Sequence, residues 1–158
     1  MIYRFAVDKM LGRLATWLRI VGQDATYGAH ISGQALVRHA RAEGRTLLTR
    51  DRSLLRHPAR VPLLFIESDH FRAQLRQVIA AFQIDPLAHP FTRCARCNEP
   101  VLPVAKAEVA DRVPPYVLAT QPHFVRCPRC KRIYWPATHH EHVAKELAAL
   151  GAKDALAP

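Results

Sequence analysis

Two sets of residues could do chemistry. Cys94-Ala95-Arg96-Cys97 and Cys127-Pro128-Arg129-Cys130 form two Cys-x-x-Cys hooks with 29 residues between them. Four thiolates in that pattern suit tetrahedral Zn²⁺, and a filled sulfur shell leaves no open position, so the ion would be structural. The redox alternative needs one hook at a helix N-terminus and has no use for the other. The second set is acidic: Asp8 follows the apolar run at residues 2–7, Asp51 ends Arg45-Thr46-Leu47-Leu48-Thr49-Arg50-Asp51-Arg52, and Asp69 follows the run at residues 62–68. One aspartate after a strand can simply cap a turn. Several at one edge repel one another unless a cation sits between them. Hard oxygen donors select Mg²⁺ or Mn²⁺, ions that activate water and stabilise an in-line displacement at phosphorus.

Such a set needs strands that all end at one edge. Residues 2–7, 23–27, 45–50 and 62–68 read as strands, with helical periodicity between them. Leu11, Leu14, Ala15, Leu18 and Val21 share one stripe that Gly22 ends; Ser32 can cap a helix that Gly44 ends. A short helical turn follows around Ser53-Leu54-Leu55. Ser68 can cap a last helix carrying Phe71, Leu75, Val78, Ile79 and Phe82. This alternation predicts an α/β fold with a parallel sheet flanked by helices. Ligands of such sheets bind beyond the carboxyl ends of the strands. Asp8, Asp51 and Asp69 fall on that side. Asp24 and Glu43 fall on the other and read as structural, while Glu67 depends on register. Pro86 and Pro90 mark a boundary, giving a domain at 1–88, a zinc ribbon at 89–145 and a tail at 146–158.

The chain has 23 Lys+Arg against 13 Asp+Glu, a net charge of +10, and 18 of the 23 bases are arginine. Guanidinium forks phosphate and stacks on bases, so a polyanion such as RNA is the partner that charge implies. Lys9, Arg13, Arg50 and Arg52 interleave with the acids, and Arg96, Arg129 and Arg132 rim the hooks. Tyr134-Trp135 could stack on bases or pack the ribbon against the main domain. His139, His140 and His142 form a cluster that reads as a solvated helix face rather than a metal site. Neither a Walker nor a dinucleotide glycine pattern occurs. No uncharged run approaches the roughly 18 residues of a membrane span, and paired Cys-x-x-Cys hooks suit a reducing compartment. A soluble, cytoplasmic protein with no membrane partner is expected.

Five separated motifs occur together and in order: Asp8-Lys9-Met10-Leu11-Gly12-Arg13-Leu14-Ala15 with Trp17-Leu18-Arg19; Leu48-Thr49-Arg50-Asp51; Arg93-Cys94-Ala95-Arg96-Cys97-Asn98; Arg112-Val113-Pro114-Pro115-Tyr116; and Cys127-Pro128-Arg129-Cys130 with Tyr134-Trp135. Over about residues 2–145 the chain resembles the Mut-seven C-terminal ribonuclease family, a PIN-like domain with an appended zinc ribbon. The resemblance implies a metal-dependent ribonuclease with Asp8 and Asp51, and less firmly Asp69, as ligands. The chain departs from the family where members carry acids at the start of the second helix, since His30-Ile31-Ser32-Gly33-Gln34 stands there. The expectation is a Mg²⁺- or Mn²⁺-dependent endoribonuclease acting on single-stranded RNA or tRNA. An RNA- or tRNA-binding protein with a vestigial site is the alternative, and a toxin-like nuclease held by an antitoxin-like protein partner is a third.

Overall fold

Strands that are apolar on both sides need cover on both faces. In Phe5-Ala6-Val7 and Leu47-Leu48 every residue is fully buried. The computed structural model describes residues 1–28, 31–57, 60–135 and 138–154, without the side chains of 138–140, 142 and 151–154. Strands β1 (Arg4–Val7), β2 (Asp24–Tyr27), β3 (Thr46–Thr49) and β4 (Leu63–Phe65) pair in parallel in the order β2-β1-β3-β4. Helix α1 (Gly12–Ile20) joins β1 to β2, α2 (Gly33–Glu43) joins β2 to β3, a 3-10 turn at Arg52–Arg56 lies between β3 and β4, and α3 (Phe71–Phe82) follows β4.

Because successive strand residues face opposite ways, Phe5, Val7 and Leu48 meet Leu14, Leu18, Leu75 and Val78 of α1 and α3 on one face. Ala6 and Leu47 meet Leu36, Val37 and Ala40 of α2 on the other. Phe82 closes the first face edge-on to Tyr3 and Phe5, with both ring centroids 5.0 Å away. Gly44 ends α2 at φ 62° as expected, whereas Gln83 rather than a glycine takes the left-handed position after α3, at φ 53°. Ser32 sits at the N-cap of α2 without a side-chain cap bond. His70, not Ser68, is the N-cap of α3, because the chain turns first and Ser68 Oγ accepts from His70 N–H at 3.1 Å.

The cysteine-bearing part is a second sheet of β5 (Leu102–Val104), β6 (Phe124–Arg126) and β7 (Ile133–Tyr134), antiparallel in that order. Between β5 and β6 the chain inserts α4 (Lys106–Val109) and α5 (Pro115–Thr120), whose Val109 and Val117 pack with Val113 and Phe124. Helix α6 (Thr138–Asp154) then returns to the first core, burying Val143, Leu147 and Leu150 beside α1 and α3. It begins inside the stretch assigned to the ribbon and runs through most of 146–158. Residues 155–158 and His30 lie outside the described residues, as do the side chains of His139, His140 and His142.

Buried polar groups join the two sheets. Arg19 of α1, 7% exposed, donates Nε to Ala25 O and Nη1 to Ala95 O and Arg96 O, at 2.8, 3.0 and 3.0 Å. Asn98 accepts Ala25 N–H on Oδ1 at 3.0 Å and donates Nδ2 to Asp24 Oδ1 at 2.7 Å. It thereby occupies the open edge of β2, which would otherwise offer unpaired backbone. Arg45, just before β3, donates to Asp24 Oδ1 at 2.8 Å and Glu43 Oε2 at 2.6 Å. Asp24 and Glu43 are therefore structural, as their place in the topology requires. Burial works to raise the Asp24 pKa, but the bonds from Arg45 and Asn98 outweigh it and hold the carboxyl below its ordinary range.

Gly22 is irreplaceable at the seam: its φ is +87°, and a Cβ there would lie 2.2 Å from His89 O. Gly22→Ala is expected to cost on the order of 2–4 kcal/mol in chemical denaturation. Asp24→Asn should cost about 2 kcal/mol at neutral pH. Because the folded-state pKa of Asp24 is depressed, its contribution is complete above the unfolded carboxylate value near 3.9 and is lost as pH falls further. The gap between wild type and Asp24→Asn should therefore hold through neutral pH and narrow below about pH 4.

Candidate functional site

The β1–β3 register pairs Val7 with Leu48, so the next residues out, Asp8 just past β1 and Thr49 at the end of β3, stand side by side. Asp8 N–H still donates to Leu48 O at 3.0 Å, one further rung of the ladder. Thr49 is fully buried, and its hydroxyl donates to Asp8 Oδ2 at 2.6 Å while accepting Asp51 N–H at 2.9 Å. One hydroxyl thus couples the first acid to the backbone of the second. Asp8 Oδ1 accepts Lys9 N–H at 2.8 Å. Asp51 caps the 3-10 turn Arg52–Arg56 by accepting Ser53 N–H at 2.9 Å and Ser53 Oγ–H at 2.7 Å on Oδ1. The Ser53 hydroxyl, then its backbone N–H, holds the Asp51 carboxyl below the usual carboxylate range.

Asp8 is 2% exposed, yet its partners are neutral donors, and among the described residues no Lys, Arg or His forms an ion pair with Asp8 or Asp51. Buried charges are otherwise paired or hold metals. Asp69 lies apart: β4 ends four residues earlier at Phe65, and the Asp69 side chain is 79% exposed, 3.6 Å from His70 Nε2. Among the described residues the four cysteines are the only group of three or more His, Cys, Asp or Glu positioned for one ion. The structure therefore links Asp8 with Asp51 and leaves Asp69 on the rim of a neighbouring cleft with Arg13. Thr49 and Ser53 were not assigned a role from sequence. The available signal was a hydroxyl residue ending a run that is otherwise apolar and buried.

The cations surround this edge in different ways. Lys9 and Arg52 are exposed, with the Arg52 guanidinium 4.8 Å over the Phe65 ring. Arg13 lies 3.9 Å over Phe71. Arg50 is partly committed to structure, donating Nη1 to Ile66 O at 3.0 Å.

The cysteines converge as their spacing predicts, with all four Sγ atoms within 4.8 Å of one another. Cys94 Sγ and Cys130 Sγ are 3.8 Å apart, and sulfurs about 2.3 Å from a tetrahedral zinc ion stand about 3.8 Å from each other. Asn98 and Lys131 follow the hooks at φ 69° and 63°. Those turns let Cys97 N–H and Cys130 N–H approach the first sulfur of each hook at 3.4 and 3.5 Å. Burial and the neighbouring thiols push Cys97 up to about 12, while the Arg132 backbone N–H leads in drawing Cys130 down to about 7. Four thiolates this close need a cation among them, and soft donors in this geometry fit Zn²⁺. Tyr134 Oη lies 3.0 Å from Cys94 Sγ, and Trp135 packs on Phe124 at 6.2 Å, so both aromatics serve the ribbon's interior. Beside the hooks, Arg93 donates to Asn98 O and Arg126 pairs with Glu108, while the rim residues Arg96, Arg129 and Arg132 are exposed.

Metal analysis should find about one zinc per chain, and Cys127→Ser should lose it together with the cooperative unfolding of the ribbon. Thr49→Val keeps the side chain's shape but removes the bond to Asp8, and is expected to cost about 1–3 kcal/mol because it leaves a buried carboxylate oxygen unsatisfied. No helix among the described residues is long and apolar enough to cross a membrane. No curated protein and no solved structure matches the chain. The family of the Mut7-C RNAse domain matches residues 3–147, nearly the whole chain, and the protein belongs to that family.

Proposed function

We propose that the chain is a PIN-like, Mg²⁺- or Mn²⁺-dependent endoribonuclease whose cation is held by Asp8 and Asp51. The observation that carries this reading is the buried Asp8 carboxylate with no cationic side chain against it, coupled through Thr49 to a second acid at the same sheet edge. Oxygen donors of this kind fit a hard divalent ion. When bound, that ion would activate a water and neutralise charge developing on the scissile phosphate.

The chain's own residues do the rest. Thr49 and Lys9 N–H fix the Asp8 carboxylate, Ser53 fixes Asp51, and both side chains are therefore set before substrate arrives. Lys9, Arg13 and Arg52 surround this edge and supply charge for a phosphodiester backbone; Arg96, Arg129 and Arg132 extend it along the ribbon. Asp69, on the rim of the cleft, is the third acid. The substrate would be single-stranded RNA or the unpaired parts of a structured RNA such as tRNA.

A second reading has a specific observation in its favour. Only two acids are coupled, and the described residues opening α2, Ser32 and Gln34, bring none. That reduced set would suit an RNA- or tRNA-binding protein with a weak or vestigial nuclease site.

Cleavage of labelled RNA in Mg²⁺, Mn²⁺ and EDTA separates the two. The nuclease reading expects metal-dependent cleavage reduced at least about 100-fold in both Asp8→Asn and Asp51→Asn, since each removes charge acting on the transition state. Tight RNA binding with no cleavage, or cleavage untouched by both substitutions, would contradict it.

A further inference from the structure

Where the starts of α1 and α3 meet, beyond the carboxyl edge of the sheet, lies a cleft of about 450 Å³ lined by Met10, Arg13, Asp69, Phe71, Arg72 and Gln74. That volume lies within the roughly 300–1,000 Å³ of small-ligand sites and gives room for one nucleotide. Its wall is aromatic and cationic together. Trp17 stacks on Phe71 at 5.7 Å with 26° between the rings, and the Arg13 Cζ lies 3.9 Å from the Phe71 centroid. Met10 adds an apolar side chain that is 48% exposed.

Two arginines reach this wall, and they differ. Arg72 is also over Phe71, at 4.8 Å, but its Nη2 is held by Glu146 Oε1 at 2.7 Å. Arg13 is exposed and forms no ion pair among the described residues. A guanidinium resting on a ring keeps its plane in one orientation and can stack a second flat group on its other side. A phosphate contact alone would not need the guanidinium to lie flat on a ring, and Lys, which keeps the charge, offers no such flat face.

The geometry points to a nucleobase subsite. An unpaired base next to the scissile phosphate enters the cleft and stacks on the Arg13 guanidinium, with Phe71 and Trp17 as its support and Met10 at its edge. This rests on the ribonuclease reading and adds to it. The site takes unpaired nucleotides rather than duplex, because a base inside a duplex has no free face to offer. The charge of +10 draws the strand in, and the stack then places one nucleotide relative to Asp8 and Asp51.

The full-length, zinc-loaded Asp8→Asn protein, which keeps RNA intact, is the material for the test, with and without Arg13→Lys. The probes are a labelled single-stranded RNA and a strand of equal length made of abasic ribose-phosphate spacers, both followed by fluorescence anisotropy. Arg13→Lys keeps the charge and, at an exposed position, the fold, which an unchanged melting temperature verifies. The expected result is about 5-fold or greater weakening for the RNA and less than about 2-fold for the abasic strand, because Lys keeps the charge that attracts the backbone but offers no flat face on which a base can stack. Equal weakening of both probes, or none of either, would overturn the subsite. The underlying reading fails separately: if the protein with Asp8 intact neither binds nor cleaves RNA, the ribonuclease proposal falls. If it cleaves RNA and Arg13→Lys is indistinguishable from it on both probes, only the subsite falls.

Discussion

The parallel pairing of β1 with β3 at the centre of the sheet is the constraint on which the rest depends. Both strands are buried on two faces, and their central residues, Phe5, Ala6, Val7, Leu47 and Leu48, are apolar. Polar side chains enter at the first residues past the last β1–β3 pair, and the Val7–Leu48 register makes those residues Asp8 and Thr49. A slip of one residue would send Leu47 and Leu48 to each other's faces and unseat both layers of helices. The packing that holds the core therefore also fixes the separation of the acids. The Thr49 hydroxyl converts that register into a bond, since it reaches Asp8 with its proton and Asp51 with its lone pair.

The cysteine-bearing part is tied to the same sheet at its far edge. Asn98, the residue that completes the first knuckle in a left-handed conformation, is also the residue that pairs with β2. Arg19 reads the carbonyls of the same knuckle from inside α1, and burial draws its pKa down, while the Cys94 and Cys97 sulfurs and Asp24 pull the other way. A metal held by Cys94 and Cys97 would close the same knuckle whose carbonyls Arg19 binds. This arrangement links the ribbon's integrity to α1, the helix whose first turn carries Arg13 and whose approach carries Lys9.

Much of this was legible in the sequence. The alternation of apolar runs with stripes at helical spacing gave four parallel strands and three helices, because burial on two faces leaves a clear signature. Gly22 and Gly44 marked helix ends through a backbone requirement that few other residues meet. The spacing of Cys94, Cys97, Cys127 and Cys130 foretold their convergence, since ligand geometry constrains it. What stayed hidden depends on tertiary partners. Among its described residues helix α6 buries Val143, Leu147 and Leu150, in a stretch rich in alanine and charge, so its docking is decided by the surface that α1 and α3 already present. Thr49 looked like one more β-prone residue until Asp8 lay beside it. Asp69 ends a long apolar run, but β4 stops at Phe65 and the intervening turn carries Asp69 out to solvent. Gln83 ends α3 with no glycine to announce it.

The central claim is that the ends of β1 and β3 share one divalent cation. Anomalous scattering from crystals of the zinc-loaded protein equilibrated with Mn²⁺ tests it most directly. The account predicts a manganese peak about 2.0–2.2 Å from oxygens of both Asp8 and Asp51, separate from the cysteine site. Crystals saturated with Mn²⁺ that show no ion there, with Asp8 still bonded only to Thr49 and Lys9 N–H, would contradict it.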